Sequence, residues 1–295
     1  MNKRRIVILV FLILLVITIA VSITLGSRRI SLEELTDGLL HPSVSSYGAN
    51  VVRKRVIRTV FSLLCGAALG VSGALMQAVT RNPIADPSIL GVNTGAAFFV
   101  VCGIAFFHIS TAGQYIVFAL AGAMLAAIAV YSIGSMGRGG ATPIKLVLSG
   151  TAVSAALSSL ISAILLPRSY VLDQYRFWQV GSVGSGTIHG ILTFSPLLAA
   201  GFVIALLCAP ALNALALGDE AATGLGVHTK TLRLTAAAGG VLLCGSTTAL
   251  AGPIGFIGLL APHIMRLLLG SNLRLTIPLS ALAGAVILTL SLIHI

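Results

Sequence analysis

Long apolar stretches separated by short polar ones make up most of this chain. The first, within MNKRRIVILVFLILLVITIAVSITLGS, follows a basic cluster at the N-terminus. It runs for about 20 residues, enough to cross roughly 30 Å of hydrocarbon at about 1.5 Å per residue. A cleavable signal peptide has an apolar stretch of only about 7–15 residues. The pattern therefore predicts a retained first helix whose N-terminus lies in the cytoplasm.

Eight further apolar runs predict membrane-spanning helices, at residues 56–79, 89–108, 113–135, 145–166, 191–212, 232–251, 255–270 and 276–295. With the first run they give about nine crossings, and we predict an all-α polytopic membrane protein with one transmembrane domain over residues 1–295. The polar segment ISLEEL, Ile30 to Leu35, predicts a short amphipathic helix outside the membrane.

Glycines recur three or four residues apart in two of the runs: Gly66, Gly70 and Gly73, and then Gly252, Gly255 and Gly258. Small residues at this spacing let helix backbones approach closely in lipid, so they predict tight helix contacts rather than a ligand site. Gln77 is a lone polar side chain deep in its run. We expect it to bond to a neighbouring helix, and lining a pathway is the alternative.

Composition supports the membrane interpretation, because 57% of the residues are hydrophobic and only 8% are charged. A soluble domain carries about 25% charged residues. The net charge of +11 comes from basic residues that lie mostly between apolar runs. There they set topology and contact lipid headgroups, and no basic stripe with interleaved aromatics indicates nucleic acid. The cluster RKRVIR, Arg53 to Arg58, falls on the outer side and needs a separate explanation.

The chemistry of an enzyme is absent from the sequence. It has no GxxxxGK[ST], HExxH, GxSxG or CxxC motif, so we expect no ATP hydrolysis, no metal site and no cofactor on this chain. Carboxylates are nearly absent from the apolar runs, whereas proton- and sodium-coupled carriers usually need some there. Two classes of function remain: a passive channel, and a permease driven by a separate motor protein.

Three polar stretches interrupt the spans on the predicted cytoplasmic side. In the first, RNPIADPSILG, Pro83 and Pro87 prevent one continuous helix, and Asp86 or Ser88 can cap the next helix. In the second, a loop over residues 213–231, LALGDEAATGLGV has the composition of a short helix. It predicts a docking surface, with a solvated loop as the alternative. In the third, GFIGLLAPHIMRLLLGSNLR, Pro262 predicts a kink.

These stretches, in this order, closely resemble the FecCD-type permeases of ABC importers for iron-siderophores, haem and cobalamin. The matching pieces cover nearly the whole chain: RVIRTVFSLLCGAALGVSGALMQAVTRNPIADPSILGVNTGAA, LALGDEAATGLGV and AGPIGFIGLLAPHIMRLLLGSNLRLTIPLSALAGA. The resemblance implies a BtuC-like fold of ten helices per subunit, in a homo- or heterodimer with the translocation path at the subunit interface. It also implies two cytoplasmic ATPases, which hold ATP and magnesium, and a periplasmic or lipid-anchored substrate-binding protein.

The resemblance also assigns roles to single residues. It places ATPase coupling on the segment Leu217 to Val227, at Gly218, Glu220, Ala222, Leu225 and Gly226. It places binding-protein docking on Arg55 and Arg58, which gives the outer basic cluster its reason, and a cytoplasmic gate on Thr142 and Pro143. It makes a rigid corner near the ATPase from Arg81, Asn82, Pro83, Asp86 and Pro87, with Arg81 and Asp86 as a candidate pair.

The chain departs from the family pattern at its end, because the family continues past ALAGAVILTL with a further segment and a last helix. We therefore expect the C-terminal helix to be missing. The function expected is import of an iron(III)-siderophore across the cytoplasmic membrane by a multi-pass permease subunit. Haem or cobalamin import by the same permease type is one alternative, and an ATP-independent channel or carrier or a non-transporting scaffold is another.

Overall fold

A computed structural model describes residues 3–26, 28–137 and 141–293. Those residues form helices and connecting turns, with no β-strand among them. The α-helices are α1 (Lys3–Thr24), α2 (Leu32–Leu40), α3 (Tyr47–Thr80), α4 (Val92–Phe107), α5 (Ala112–Ser135), α6 (Pro143–Leu165), α7 (Ser169–Val180), α8 (Ile188–Leu215), α9 (Asp219–Gly224), α10 (Thr229–Ala251), α11 (Ile257–Leu269) and α12 (Leu273–Ile293). Two 3₁₀ helices, Pro87–Leu90 and Val183–Ser185, precede α4 and α8.

Each of the nine predicted spans corresponds to an apolar helix, but two of these helices are shorter than predicted. Seven of the described helices are long and apolar enough to cross a membrane: α1, α3, α5, α6, α8, α10 and α12. The other two predicted spans are the shorter apolar helices α4 and α11, of 16 and 13 residues. A helix of 13 residues is about 20 Å long, so α11 covers only part of the hydrocarbon thickness.

Helix α3 is the centre of the bundle. It packs against α12, α10, α11, α1 and α8, and most of its apolar length is buried. Its 34 residues give a length of about 51 Å, well beyond the hydrocarbon thickness. The sequence pattern predicted a start near residue 56, but the helix begins at Tyr47, and the extra turns include Arg53, Lys54 and Arg55.

Glycines bring α3 into backbone contact with two neighbours, as predicted from their spacing. A Cβ on Gly66 or Gly70 would overlap the α12 backbone, and a Cβ on Gly73 would overlap the backbone of Gly258 in α11. The second glycine series behaves differently because residues 252–256 are not helical. Gly258 packs as expected, whereas Gly255 has no atom within 4 Å of the position of a Cβ.

The helix ends gather into two groups that define the two ends of the bundle. At the α9 end, residues 81–91 lie with α9 and with the turn between α11 and α12. There the side chain of Asn213 donates to Asn272 (3.1 Å) and accepts from the backbone of Leu273 (2.8 Å). At the α2 end, α2 packs on the first turns of α3. Ser31 and Glu34 form a capping box that starts α2, which confirms the short helix predicted there.

Candidate functional site

The predicted docking helix is present as α9, a six-residue helix between two glycines of positive φ. Gly218 precedes it with φ 120° and Gly226 follows it with φ 81°, so both positions need the conformational freedom of glycine. Leu217 and Leu225 flank the helix with 71% and 66% of their surface exposed. The two leucines thus expose apolar surface beside a short helix, and that surface is not covered by the described part of the chain.

The five predicted coupling residues divide into two groups on α9. Glu220 is exposed in the first turn, and Leu225 is exposed just after the last one. Ala222 is fully buried, so it anchors the helix against the bundle and does not face a partner. Helix α9 contacts α8 and α10. The exposed side of this segment therefore consists of Leu217, Glu220 and Leu225, with Gly218 and Gly226 setting the path of the backbone.

The first residue of α9, Asp219, binds two arginines from other elements. Arg233 of α10 donates to both carboxylate oxygens, at 2.9 and 3.1 Å, and Arg81 at the end of α3 donates to one of them. Burial by itself would raise the pKa of the Asp219 carboxyl. The hydrogen bonds and charges of Arg233 and Arg81 outweigh that effect and hold the pKa below its usual range. Asp219 is therefore ionised at neutral pH.

Residues 81–91 form the corner predicted from their prolines. Arg81 ends α3 in a left-handed conformation, and α4 begins only at Val92. Asn82 accepts from the backbone of Ile84 (3.1 Å), and Asp86 accepts from the backbone of Ser88 (2.9 Å) to cap the 3₁₀ helix. The exposed Pro83 lies in the turn. The buried Pro87 packs closely against Gly258 of α11.

The expected pairing of Arg81 with Asp86 is wrong. Arg81 binds Asp219, whereas Asp86 is committed to its own 3₁₀ helix. The physical reason is local geometry: capping the Pro87–Leu90 helix turns the Asp86 carboxylate toward its own backbone. The left-handed turn at Arg81 leaves its side chain free to reach α9.

Gln77 ties the corner to α11. Its amide nitrogen donates to the carbonyl oxygens of Ala85 and Leu259, both at 3.3 Å, and its oxygen accepts from Arg266. The predicted bond between Gln77 and a neighbouring helix is thus confirmed. Both ends of the amide are used within the bundle, so Gln77 fixes the corner and α11 relative to α3.

The two predicted gate residues start α6. The Thr142 hydroxyl accepts from the backbone of Lys145 (3.4 Å), and Pro143 occupies the first helical position, where its missing N–H costs nothing. This is the geometry of a helix start. The gating role of both residues stays a prediction.

The two predicted docking arginines differ sharply in access at the α2 end. Arg55 is only 6% exposed and donates to the backbone carbonyls of Ile23 (3.2 Å), Thr24 (3.0 Å) and Arg28 (2.8 Å). Its guanidinium therefore clamps the end of α1 against α3. Arg58 is half-buried, and its Nε is buried without a hydrogen-bond partner in the described part of the chain. Of the two, Arg58 is the better placed to pair with an acidic partner.

One face of α6 is polar and exposed, although the helix is long enough to span. At about 100° per residue, its members lie within about 60° of arc: Thr151, Ala155, Ser158 and Ser162. Thr151 donates to Leu148 (2.9 Å) and Ser162 donates to Ser158 (3.0 Å). Because these hydroxyl protons are satisfied within the helix, the face offers acceptor oxygens and small side chains to whatever covers it.

A cavity of about 510 Å³ lies between α5, α7, α8 and α10. Its lining is mostly apolar and includes Tyr115, Phe177 and Trp178. Ser182 donates its backbone N–H to Ala251 (2.7 Å), which holds the loop after α7 against the end of α10. Within the described ranges, no three His, Cys, Asp or Glu side chains come close enough to hold a metal ion.

Sequence reasoning missed two functional candidates, Asp219 and the α6 face. Asp219 was part of the predicted helix, but nothing local distinguished it from the neighbouring Glu220. The serine repeat on α6 could have been found from its helical spacing. Its exposure depends on which side of α6 the other helices cover.

Comparison with known proteins gives consistent matches over nearly the whole chain. A model of the FecCD transport family matches residues 14–295. The ferric enterobactin transport system permease protein FepD of Escherichia coli K12 is 41% identical over 278 residues, which cover 94% of this chain and 83% of FepD. The Fe(3+)-citrate import system permease protein YfmD of Bacillus subtilis 168 is 37% identical over 287 residues, 97% of this chain and 85% of YfmD.

A solved structure of an inward-facing metal-chelate type ABC transporter shares the fold. It superposes with a TM-score of 0.83 at 26% identity, and the match covers 99% of this chain and 90% of that chain. The fold described above therefore agrees with that of an experimentally determined ABC transporter structure.

Proposed function

Because the chain belongs to the FecCD transport family, a family of multi-pass membrane permeases of ABC importers, we propose that it imports an iron(III)-siderophore complex across the cytoplasmic membrane. In this proposal a separate ATPase, which holds ATP and magnesium, drives the permease. A substrate-binding protein delivers the complex. A second permease subunit, identical or related, completes the translocation path.

Helix α9 is the observation that carries the proposal. It is short, lies outside the spans, exposes Leu217 and Leu225, and is held at Asp219 by arginines from α3 and α10. A surface helix that is exposed on one side and ionically fixed on the other suits a partner that pushes on it. We place the α9 end in the cytoplasm, where an ATPase has access to it, and the α2 end on the outer side.

Docking of the binding protein is assigned to the α2 end, with Arg58 as the contact. The Arg58 side chain is half-buried, and its Nε lacks a hydrogen-bond partner in the described part of the chain. A charge partly withdrawn from water attracts a carboxylate more strongly than a fully solvated one. Arg55 contributes indirectly, because it holds the end of α1 and so shapes the surface beside Arg58.

We expect Arg58→Glu to weaken capture of the binding protein by about tenfold at low salt and by less as salt rises, since reversing a charge at an interface mainly slows association. Surface plasmon resonance on the purified permease complex measures this. Lys230→Glu makes the same charge change at the α9 end and leaves capture unchanged. Equal affinities of wild type and Arg58→Glu at low salt contradict the docking assignment.

The exposed α6 face is assigned to the translocation path at the boundary with the second subunit. Small and hydroxylated side chains are poorly suited to face lipid, but they suit close helix packing or a hydrated passage. The four residues run along three turns of the helix, about 17 Å, so the face extends through roughly half of the hydrocarbon thickness.

We expect Ser158→Phe to lower ATP-dependent uptake strongly, because a bulky ring blocks the passage or separates the subunits. Leu160→Phe is the matched control, since Leu160 is also exposed but lies about 180° around the helix from Thr151. Uptake of radioactive iron into proteoliposomes measures both variants. Equal uptake by the two variants would contradict the assignment of the α6 face to the translocation path.

Reconstitution tests the function directly. Proteoliposomes containing the permease, its cognate ATPase and its binding protein should accumulate radioactive iron(III)-enterobactin or iron(III)-citrate when ATP and magnesium are present on the ATPase side. Haem and cobalamin are offered in parallel to test the alternative substrates. Uptake by the permease alone without ATP would instead identify a channel or carrier, and no uptake of any chelate would contradict the proposal.

A further inference from the structure

Helix α9 has little contact of its own with the bundle. Its six residues make fewer than two turns, it packs mainly on α8 and α10, and Ala222 is its only buried residue. Both connections to the bundle pass through glycines of positive φ, Gly218 and Gly226. Such a helix tilts easily about its ends, so a force applied to it is lost unless something fixes it to the spanning helices.

Asp219 supplies that connection. Its carboxylate is held on both oxygens by Arg233, whose side chain is only 5% exposed, and on one oxygen by Arg81. Arg233 lies in the second turn of α10, and Arg81 ends α3. One carboxylate of α9 is thus bound simultaneously to the two most buried of the long apolar helices.

Loss of this carboxylate is costly because Arg233 is buried. A buried guanidinium without a counter-charge is strongly unfavourable, so Arg233 keeps its hold on Asp219 whenever α9 moves. Arg81 extends the connection into the corner, where Gln77 binds Ala85, and through Gln77 to Leu259 and Arg266 of α11. Direct contacts therefore link α9 to α10 and to the end of α3, and Gln77 of α3 continues the connection to α11.

We propose that Asp219 is the positioning residue that transmits movement of α9 to α3 and α10, and so keeps ATP hydrolysis linked to opening of the path. This inference rests on the proposed function and assigns two different roles to residues in and beside α9. Leu217, Glu220 and Leu225 hold the ATPase, whereas Asp219 holds the bundle. The two roles predict different defects when they are removed.

The experiment compares Asp219→Asn with wild type in the complete reconstituted transporter. We expect Asp219→Asn to keep its ATPase and to hydrolyse ATP at close to the normal rate. The number of iron(III)-enterobactin molecules imported per ATP should fall by about fivefold or more, within the usual range for the loss of a coupling free energy. Asp219→Glu restores part of this ratio, because it keeps the charge. Asp173→Asn removes an exposed carboxylate beside Arg176 on α7 and leaves the ratio unchanged.

Arg81→Gln provides a second test that spares the buried pair, because Arg233 keeps its partner. We expect it to lower imports per ATP less than Asp219→Asn does. A normal ratio in both variants overturns the proposal, and if Asp219→Asn does not fold, a normal ratio in Arg81→Gln alone overturns it. Absence of ATP-dependent import by the wild-type complex would contradict the proposed function instead, so the two failures are distinguishable.

Discussion

Glu220→Arg is expected to release the ATPase from this permease while leaving the permease inserted and folded. Glu220 is exposed in the first turn of α9, near the exposed Leu217, so its side chain is not packed in the bundle, and in the proposed function it faces the ATPase. Reversing its charge places a cation against a surface that accepts an anion. Like-charge contacts at an interface cost several kcal/mol, which corresponds to a loss of affinity of about a hundredfold or more.

Co-purification of the ATPase with tagged permease measures this effect, and ATP-dependent uptake should fall in parallel. Glu33→Arg is the matched control, because Glu33 is also exposed in the first turn of a short helix, α2, but lies at the other end of the bundle. We expect Glu33→Arg to retain the ATPase. If Glu220→Arg retains and stimulates the ATPase normally, α9 is not the docking helix.

Gly73→Ala is expected to disrupt the fold. The added Cβ would lie less than 3.0 Å from the backbone of Gly258, where α3 crosses α11, and backbone atoms cannot move aside as a side chain can. The two helices must separate, and the neighbouring contacts between α3 and α12 separate with them. Overpacking of this kind costs about 3 kcal/mol, at the upper end of the usual range.

The loss is measured as the fraction of monodisperse protein in detergent and as the midpoint of thermal unfolding. Gly113→Ala makes the same substitution in the first turn of α5, where no atom lies within 4 Å of the new Cβ. Because alanine favours a helix over glycine by up to about 1 kcal/mol, this control should unfold at or slightly above the wild-type midpoint. An unchanged midpoint for Gly73→Ala would contradict the close approach of α3 and α11.

The two arginines at the α2 end show that a motif match can assign the same role to residues whose environments differ. The resemblance gave Arg55 and Arg58 the same docking role from their positions in the chain. The structure gives them different environments, because Arg55 lies opposite the carbonyl groups at the end of α1 and Arg58 does not. Charge and spacing identify a basic cluster. Which member remains available to a partner depends on what packs beside it.

The corner and α9 were predictable for a local reason. Proline geometry ends α3 before Pro83, and Pro87 begins the 3₁₀ helix that precedes α4. Helix α9 is defined by acidic residues at its start and by the glycines that follow them. These rules act over a few residues, so the sequence contains all that they require. The partner of Arg81 was not predictable in this way, because Asp219 lies 138 residues further along the chain.

The sequence by itself determined the number and order of the apolar helices, the membrane setting, the turns between helices and the glycines at close contacts, because each depends on hydrophobic length or on backbone sterics within a few residues. The tertiary structure alone decided that α4 and α11 are short, that Arg55 is buried, that the Ser158 face of α6 is exposed, and that Asp219 joins α9 to α3 and α10. These features depend on which helix surfaces meet, and packing between distant segments sets that.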